Sequence, residues 1–396
     1  MGHINSCKKN KRKTCGEAIL EFLLYFFVFF PYVTFVKTQT DLQMYCLVIS
    51  FLCVIYYFVQ SRLFINKKFI WLLAMLTVAI LIMLVTGINF NAFRSLANYC
   101  SITFISIATF NIIKKFELNE KYCKFFIWVW FIVGLVQITV NRNFLSFLLS
   151  QGRTTEGRGV FGLANEPSFY GIIMSLALLV VLNFKKKKWL YAFLITVQVV
   201  FFAQSMMGII ALAIVLIIYL FNGVIRFRGK SLIVLLVTIF LSCVIMMVYT
   251  NMFPYHRLSK IIVQFFNGTL LSDESVLLRM SAITDSFNTF FANLGMPNGF
   301  GNRIMSGFGA PLVELGIFAI PIIFVVCSSV ANVSKCKRFY RVRFILFFVL
   351  MLFAIQLAHP MVAFLVGFGM QIDRKKRQDN RKLIKSNLIS GVSHNG

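Results

Sequence analysis

Long apolar runs separated by basic connectors constrain this chain more than any other feature of its sequence. A helix needs about 20 residues to cross the hydrocarbon core of a bilayer. The runs predict spans near 18-36, 42-59, 69-87, 92-113, 122-140, 168-184, 189-203, 206-221, 231-249, 308-330, 344-358 and 360-371. Charge settles the two ambiguous stretches. Residues 189-221 lie between Lys185 to Lys188 and the trio Arg226, Arg228 and Lys230. Residues 344-371 lie between Arg343 and Arg374, each in a basic cluster. Cationic flanks stay in the cytoplasm, so each stretch must turn back, the first at Gln204 and Ser205 and the second at His359 and Pro360. The expectation is an all-α polytopic membrane protein of about 12 transmembrane helices.

In that register most of the 40 Lys and Arg fall in every second connection, which identifies those as the inner ones. The formal net charge of +27 therefore reads as topology and contact with anionic headgroups, not as a nucleic-acid surface. A chain that is 59% hydrophobic and 13% charged is no soluble globule. It divides into a basic cytoplasmic N-terminus, 1-16, one transmembrane domain, 17-372, and a basic cytoplasmic tail, 373-396. Lys8 to Lys13 followed by an apolar stretch resembles a signal peptide, but no small-residue cleavage pattern follows, so an uncleaved first helix is expected. The nine cysteines fall in predicted helices or inner segments and offer no outer disulfide. No Gly-rich nucleotide loop, zinc spacing or internal repeat is present.

Two connections are long, 141-167 and 251-307, and both are expected on the outer face. Ionisable groups held against a membrane bundle on non-helical backbone are where function concentrates. The first connection carries Arg153 and Arg158 among four glycines and runs into Asn165-Glu166-Pro167-Ser168. Pro167 suits a first helical turn, Asn165 a cap, and Glu166 the positive end of a helix dipole. Glu166 reads equally as a helix-start carboxylate, and the two arginines as solvated loop charges.

The second connection predicts two surface helices. One carries Leu258, Ile261, Ile262, Phe265 and Phe266 at helical spacing, and the other starts near Ser272. In the second, Ser275 and Arg279 lie opposite the apolar stripe; contact with lipid headgroups is the other reading for Arg279. Arg303 follows in a Gly-rich segment, and Glu314 opens the next span. His359 at a hairpin tip is, on position alone, a surface histidine.

This order of parts resembles the O-antigen polymerase (Wzy-type) family, in the wider group of O-antigen polymerases and ligases. The similar features, over about 141-371, are the basic outer loop entering Asn165-Glu166-Pro167-Ser168 and the hairpin turn Gln204-Ser205 before Gly208. Ser275-Val276-Leu277-Leu278-Arg279, Gly299-Phe300-Gly301 and Glu314-Leu315-Gly316 complete the series. Relatives often carry Ser-Arg-Gly at the hairpin turn; this chain has Ser205-Met206-Met207-Gly208, and no role is transferred there. The resemblance implies a GT-C-like bundle in the bacterial inner membrane. Its implied activity is metal-independent, cofactor-free glycosyl transfer at the periplasmic face, from an undecaprenyl-diphosphate donor onto a lipid-linked repeat unit.

Guanidinium groups suit the diphosphate leaving group, because they bind phosphate oxygens in bidentate fashion as negative charge develops. Arg158 and Arg279 are assigned to it and Glu166, next to the loop arginines, to the base in a displacement that inverts the anomeric centre. Arg153, Ser275, Arg303, Glu314 and His359 complete a substrate-binding set. The implied partners are lipid-linked oligosaccharides, membrane lipids and a chain-length regulator. An O-antigen ligase shares the architecture but commonly has a late outer His, and 298-314 contain none. A lipid-linked oligosaccharide flippase is the alternative outside the enzymes; it needs its cations in a cavity open alternately to both faces.

Overall fold

The structure, a computed structural model, describes residues 13–36, 42–153, 159–224, 257–269, 274–301, 307–334 and 358–392. Helix α1 (Cys15–Phe29) starts at a capping box in which Thr14 accepts from the Glu17 N–H and Glu17 reaches back to the Thr14 N–H. It stops early because Pro31 follows. A residue before proline is steered out of the helical region, and Phe30 lies at φ −121°, ψ 59°. Next come α2 (Tyr45–Val59) and α3 (Lys67–Thr86), with α4 (Phe90–Phe116) capped by Asn89, whose side chain accepts from the Ala92 N–H at 2.7 Å. Lys114 and Lys115 occupy the last turn of α4, where the helix dipole is negative.

Beyond α5 (Glu120–Thr139), the chain forms α6 (Pro167–Val181) and α7 (Lys188–Val197), which passes into a π-helical turn over Gln198–Ala203. Gln204, at φ +44°, breaks the path before α8 (Met206–Val224). Two further helices, α9 (Arg257–Phe266) and α10 (Glu274–Ala292), precede α11 (Gly309–Leu315), α12 (Ile320–Val333) and the long α13 (Pro360–Val392). The regular elements among the described residues are helices; Val33 and Leu149 form an isolated antiparallel bridge.

Helix α6 is buried along almost its whole length, and so is the apolar first half of α13. Helix α13 packs against α4 and α12 through glycines: a Cβ added at Gly367 would meet the Ser106 carbonyl, and one at Gly369 the Ser329 carbonyl. Small residues that let backbones approach are the ordinary means of joining helices in lipid. The outside is apolar instead. Helix α3 exposes Ile70, Trp71, Leu81, Leu84 and Val85, and α5 exposes Phe125, Ile132, Leu135 and Ile138. Greasy surface on that scale fits a membrane protein.

The expectation of a GT-C-like bundle with about 12 transmembrane helices is corrected by helix length. Among the described residues four helices are long and apolar enough to cross a membrane: Lys67–Thr86, Phe90–Phe116, Glu120–Thr139 and Gly309–Val333. Helices α1, α2 and α6 have 15 residues each, and α7 has 10 before its π turn. At 1.5 Å per residue, a helix of about 15 residues reaches only ~22 Å of the ~30 Å hydrocarbon core. Apolar residues in the flanking turns lengthen the runs in sequence without lengthening the helices. The expected spans at 231-249 and 344-358 lie outside the described residues.

Charge is sorted to one end of the bundle. Glu17 pairs with Lys115 and lies 4.0 Å from Arg62, Glu21 pairs with Lys13, and Glu120 bonds Lys124 at 2.7 Å. Glu117, in the turn between α4 and α5, receives Lys185 at 3.2 Å and Lys375 at 3.4 Å. These pairs bring the basic connections at 13, 62, 114-124, 185 and 375 to the same end.

The Lys185 hydrogen bond, with the charge of Lys375, holds the Glu117 carboxyl below the usual carboxylate range. A depressed folded-state pKa gives stability that is present above the unfolded value, about 4.3 for Glu, and lost as pH falls through the folded value. The pair is half-exposed, so its worth is roughly 0.5 kcal/mol after solvent screening. Glu117→Gln is expected to lower the melting temperature slightly at pH 7, with the gap to wild type shrinking as the pH falls below the unfolded value of about 4.3. Melting curves of both proteins that stay parallel from neutral to acid pH would refute this assignment.

Candidate functional site

At the opposite end, the loop between α5 and α6 is pinned to the bundle. The Gln137 amide donates to the Phe144 carbonyl at 2.8 Å and the Gly162 carbonyl at 2.9 Å, and its oxygen accepts from the Gly162 N–H at 2.7 Å. Gly162 has φ +59° and lies on Trp130, where a Cβ would come within 2.8 Å of the indole, so glycine is required. The Val160 N–H donates to the Phe202 carbonyl of the π-helical turn at 2.8 Å, and a Cβ at Gly159 would strike the Ala203 carbonyl. Arg142 donates to the Gly159 carbonyl at 3.4 Å. Below, Tyr170 stacks on Trp130 and donates to Gln198 at 3.0 Å.

This pinned loop delivers Arg153 to the start of α6. The Arg153 N–H donates to the Asn165 carbonyl at 2.7 Å, and its guanidinium bonds Glu166 at 3.2 Å and Gln151 at 2.9 Å. Ser168 Oγ donates to the other oxygen of Glu166 at 3.1 Å. Glu166 itself, and not Asn165, is the N-cap residue of α6, because Pro167 takes the first helical position. The Asn165 amide instead donates to Ser150 Oγ at 3.2 Å. A half-exposed carboxylate thus stands at the positive end of a helix, with a guanidinium and a hydroxyl on its two oxygens.

His359 is not at a solvated tip. It is 2% exposed, and its Nδ1 accepts from the Met361 N–H at 3.2 Å, capping α13. That bond assigns the ring proton to Nε2, which is buried without a partner among the described residues. Burial pushes the imidazole pKa down to about 3, so the ring is neutral. Tyr32 joins the two helix starts: its ring stacks on Phe169 at 5.4 Å and meets His359 at 5.9 Å. Glu166-Pro167 and His359-Pro360 are the same device, a polar residue before a proline opening a helix. That shared dipeptide form is the sequence signal linking them; nothing in the sequence points to Tyr32.

Glu314 belongs to a second polar knot, bonded to Ser95 at 2.8 Å and to Tyr99, both on α4. Phe300 lies against Tyr99, with ring centres 6.3 Å apart. Ser275 and Arg279 lie in α10, and their side chains fall outside the described residues, as do Arg158 and Arg303. The structure therefore joins Arg153, Glu166 and, through Tyr32, His359; it holds Glu314 on α4. No group of three or more His, Cys, Asp or Glu among the described residues is arranged to hold a metal ion. Compared with known protein families, curated proteins and solved structures, the chain matches none.

Proposed function

We propose that this protein is a bacterial repeat-unit polymerase of the O-antigen or capsule type. It transfers glycan from an undecaprenyl-diphosphate carrier onto a lipid-linked acceptor at the periplasmic face of the inner membrane, with inversion at the anomeric carbon. The observation that carries this reading is the Arg153–Glu166–Ser168 cluster at the start of a buried helix. In this chemistry Glu166 accepts the proton of the attacking sugar hydroxyl while the C1–O bond to the diphosphate breaks. Arg153 moves between carboxylate and phosphate oxygen, supported by Arg158 and Arg279 on the loop and on α10.

The apolar exterior supports a lipid-linked substrate, and the separation of the loop from the basic end supports work on the opposite face. Ligase activity is the second reading, because His359 is a late histidine linked to the start of α6 through Tyr32 and Phe169. Deleting the gene and resolving surface polysaccharide by gel distinguishes the readings. A polymerase defect leaves a single repeat unit on the surface. Loss of every repeat with polymer retained on the carrier indicates a ligase, and accumulation of inward-facing lipid-linked units indicates a flippase.

A further inference from the structure

The end of α10 combines a strained backbone with an exposed apolar side chain. The helix closes in a left-handed cap, in which the Gly295 N–H donates to the Phe290 carbonyl at 2.8 Å and the Leu294 N–H to the Phe291 carbonyl at 3.0 Å. Glycine is the usual residue at the left-handed position of such a cap, because a Cβ crowds that backbone. Here the position is Leu294, at φ +50°, and the residue is 90% exposed. In water a leucine there would bear the backbone strain and expose its apolar surface as well, and asparagine or glycine would serve better. In an apolar medium the exposure costs nothing and the side chain gains by leaving water.

The cap is fixed at one level of the bundle. The Ile317 N–H donates to the Gly295 carbonyl at 2.8 Å, and the Asn298 N–H to the Val313 carbonyl at 2.9 Å. A Cβ at Gly316 would strike the Gly295 carbonyl, and one at Gly299 would strike the Thr86 side chain. Thr86 is the last residue of α3, a helix of membrane-crossing length whose first residue, Lys67, follows the basic turn at Arg62. The cap therefore lies level with the far boundary of the hydrocarbon core. Around it Phe291, Met296, Ile317, Phe318 and Val85 are exposed too. No Lys or Arg occurs between residues 280 and 302. One side of α10 is polar, since Thr284, Asp285 and Asn288 recur at helical spacing and are exposed. A polar side for water and a greasy, cation-free tip describe a helix seated at an interface with its end dipping into lipid.

We propose that the Leu294–Met296 turn is a membrane anchor, which inserts among the acyl chains of the leaflet farther from the basic end and sets the height of α10 against the bundle. The full-length protein in lipid nanodiscs tests this by fluorescence. L294W and N288W each add one tryptophan to the four native ones, whose emission is subtracted with the wild-type protein. The quenchers are phosphatidylcholine brominated on its acyl chains and acrylamide in the water.

L294W is expected to lose most of its added emission to the brominated lipid and little to acrylamide, and N288W the reverse. L294N suits the left-handed backbone better but is polar, so it is expected to melt below wild type in nanodiscs. In wild type, a phosphatidylcholine with a diazirine on its acyl chain is expected to label the peptide holding residues 291–296 on irradiation. Quenching of L294W by acrylamide in place of brominated lipid overturns the anchor, as does equal behaviour of the two tryptophan variants. Protection of L294W from both quenchers, which contact with a second copy would give, overturns it too. So does an L294N protein at least as stable as wild type, or labelling of the α3 peptide without the 291–296 peptide.

Discussion

Glu166→Gln is expected to abolish polymer formation, lowering the transfer rate by on the order of 10²–10⁴-fold, the usual worth of a positioned general base. The amide is close in shape and still accepts one hydrogen bond, so the α6 start and the Ser168 contact survive. What it loses is the ability to take the hydroxyl proton. The measurement is in vitro chain extension with a purified undecaprenyl-diphosphate repeat unit, alongside the surface ladder in cells. Arg153→Ala is expected to impair the same step through the leaving group, so the two variants together should show less than the sum of their separate losses. A Glu166→Gln protein that inserts normally and extends chains at the wild-type rate removes this carboxylate from the chemistry and leaves it the helix start that its position equally suits.

Gly369→Ala is expected to have the largest effect on folding. The new methyl group would have to occupy the space of the Ser329 backbone carbonyl, and backbone cannot rotate away as a side-chain tip can. Overpacking of this kind costs about 3 kcal/mol when neighbours must shift as rigid helices. In lipid the association of α13 with α4 and α12 rests on such close contact, so lost approach is not recovered by burial of apolar surface. The expected result is a protein that inserts but melts well below wild type in detergent or is degraded in cells. Gly301→Ala is the control, since a Cβ there meets nothing within 4 Å. Comparable melting of the Gly369 variant and the Gly301 variant would show that α13 does not depend on this contact.

The long helices were legible from hydropathy because their caps and charges agree with it. The run near 92-113 became Phe90–Phe116, bounded by Asn89 and by Lys114 and Lys115, and the run near 69-87 became Lys67–Thr86 before Gly87. The run near 18-36 misled, because a hydropathy window counts Phe30 to Val36 as apolar although Pro31 has already ended the helix. Gln204 was visible as a break, while the π turn before it, which has no compositional mark, was not. At the site, Pro167 fixed the start of α6 but shifted the cap by one residue to Glu166. The contact of Tyr32 with both Phe169 and His359 was invisible, since it joins three segments far apart in the chain through ring contacts.

The π turn at Gln198–Ala203 carries an evolutionary constraint. Its i→i+5 spacing widens the helix where the Phe202 carbonyl turns outward to accept from Val160. A descendant that lost one residue there would regain a regular helix and withdraw that acceptor, leaving the amide of residue 160 to find another. Length in this short stretch and sequence in the Gly159–Gly162 segment are therefore bound to drift together, although more than thirty positions separate them.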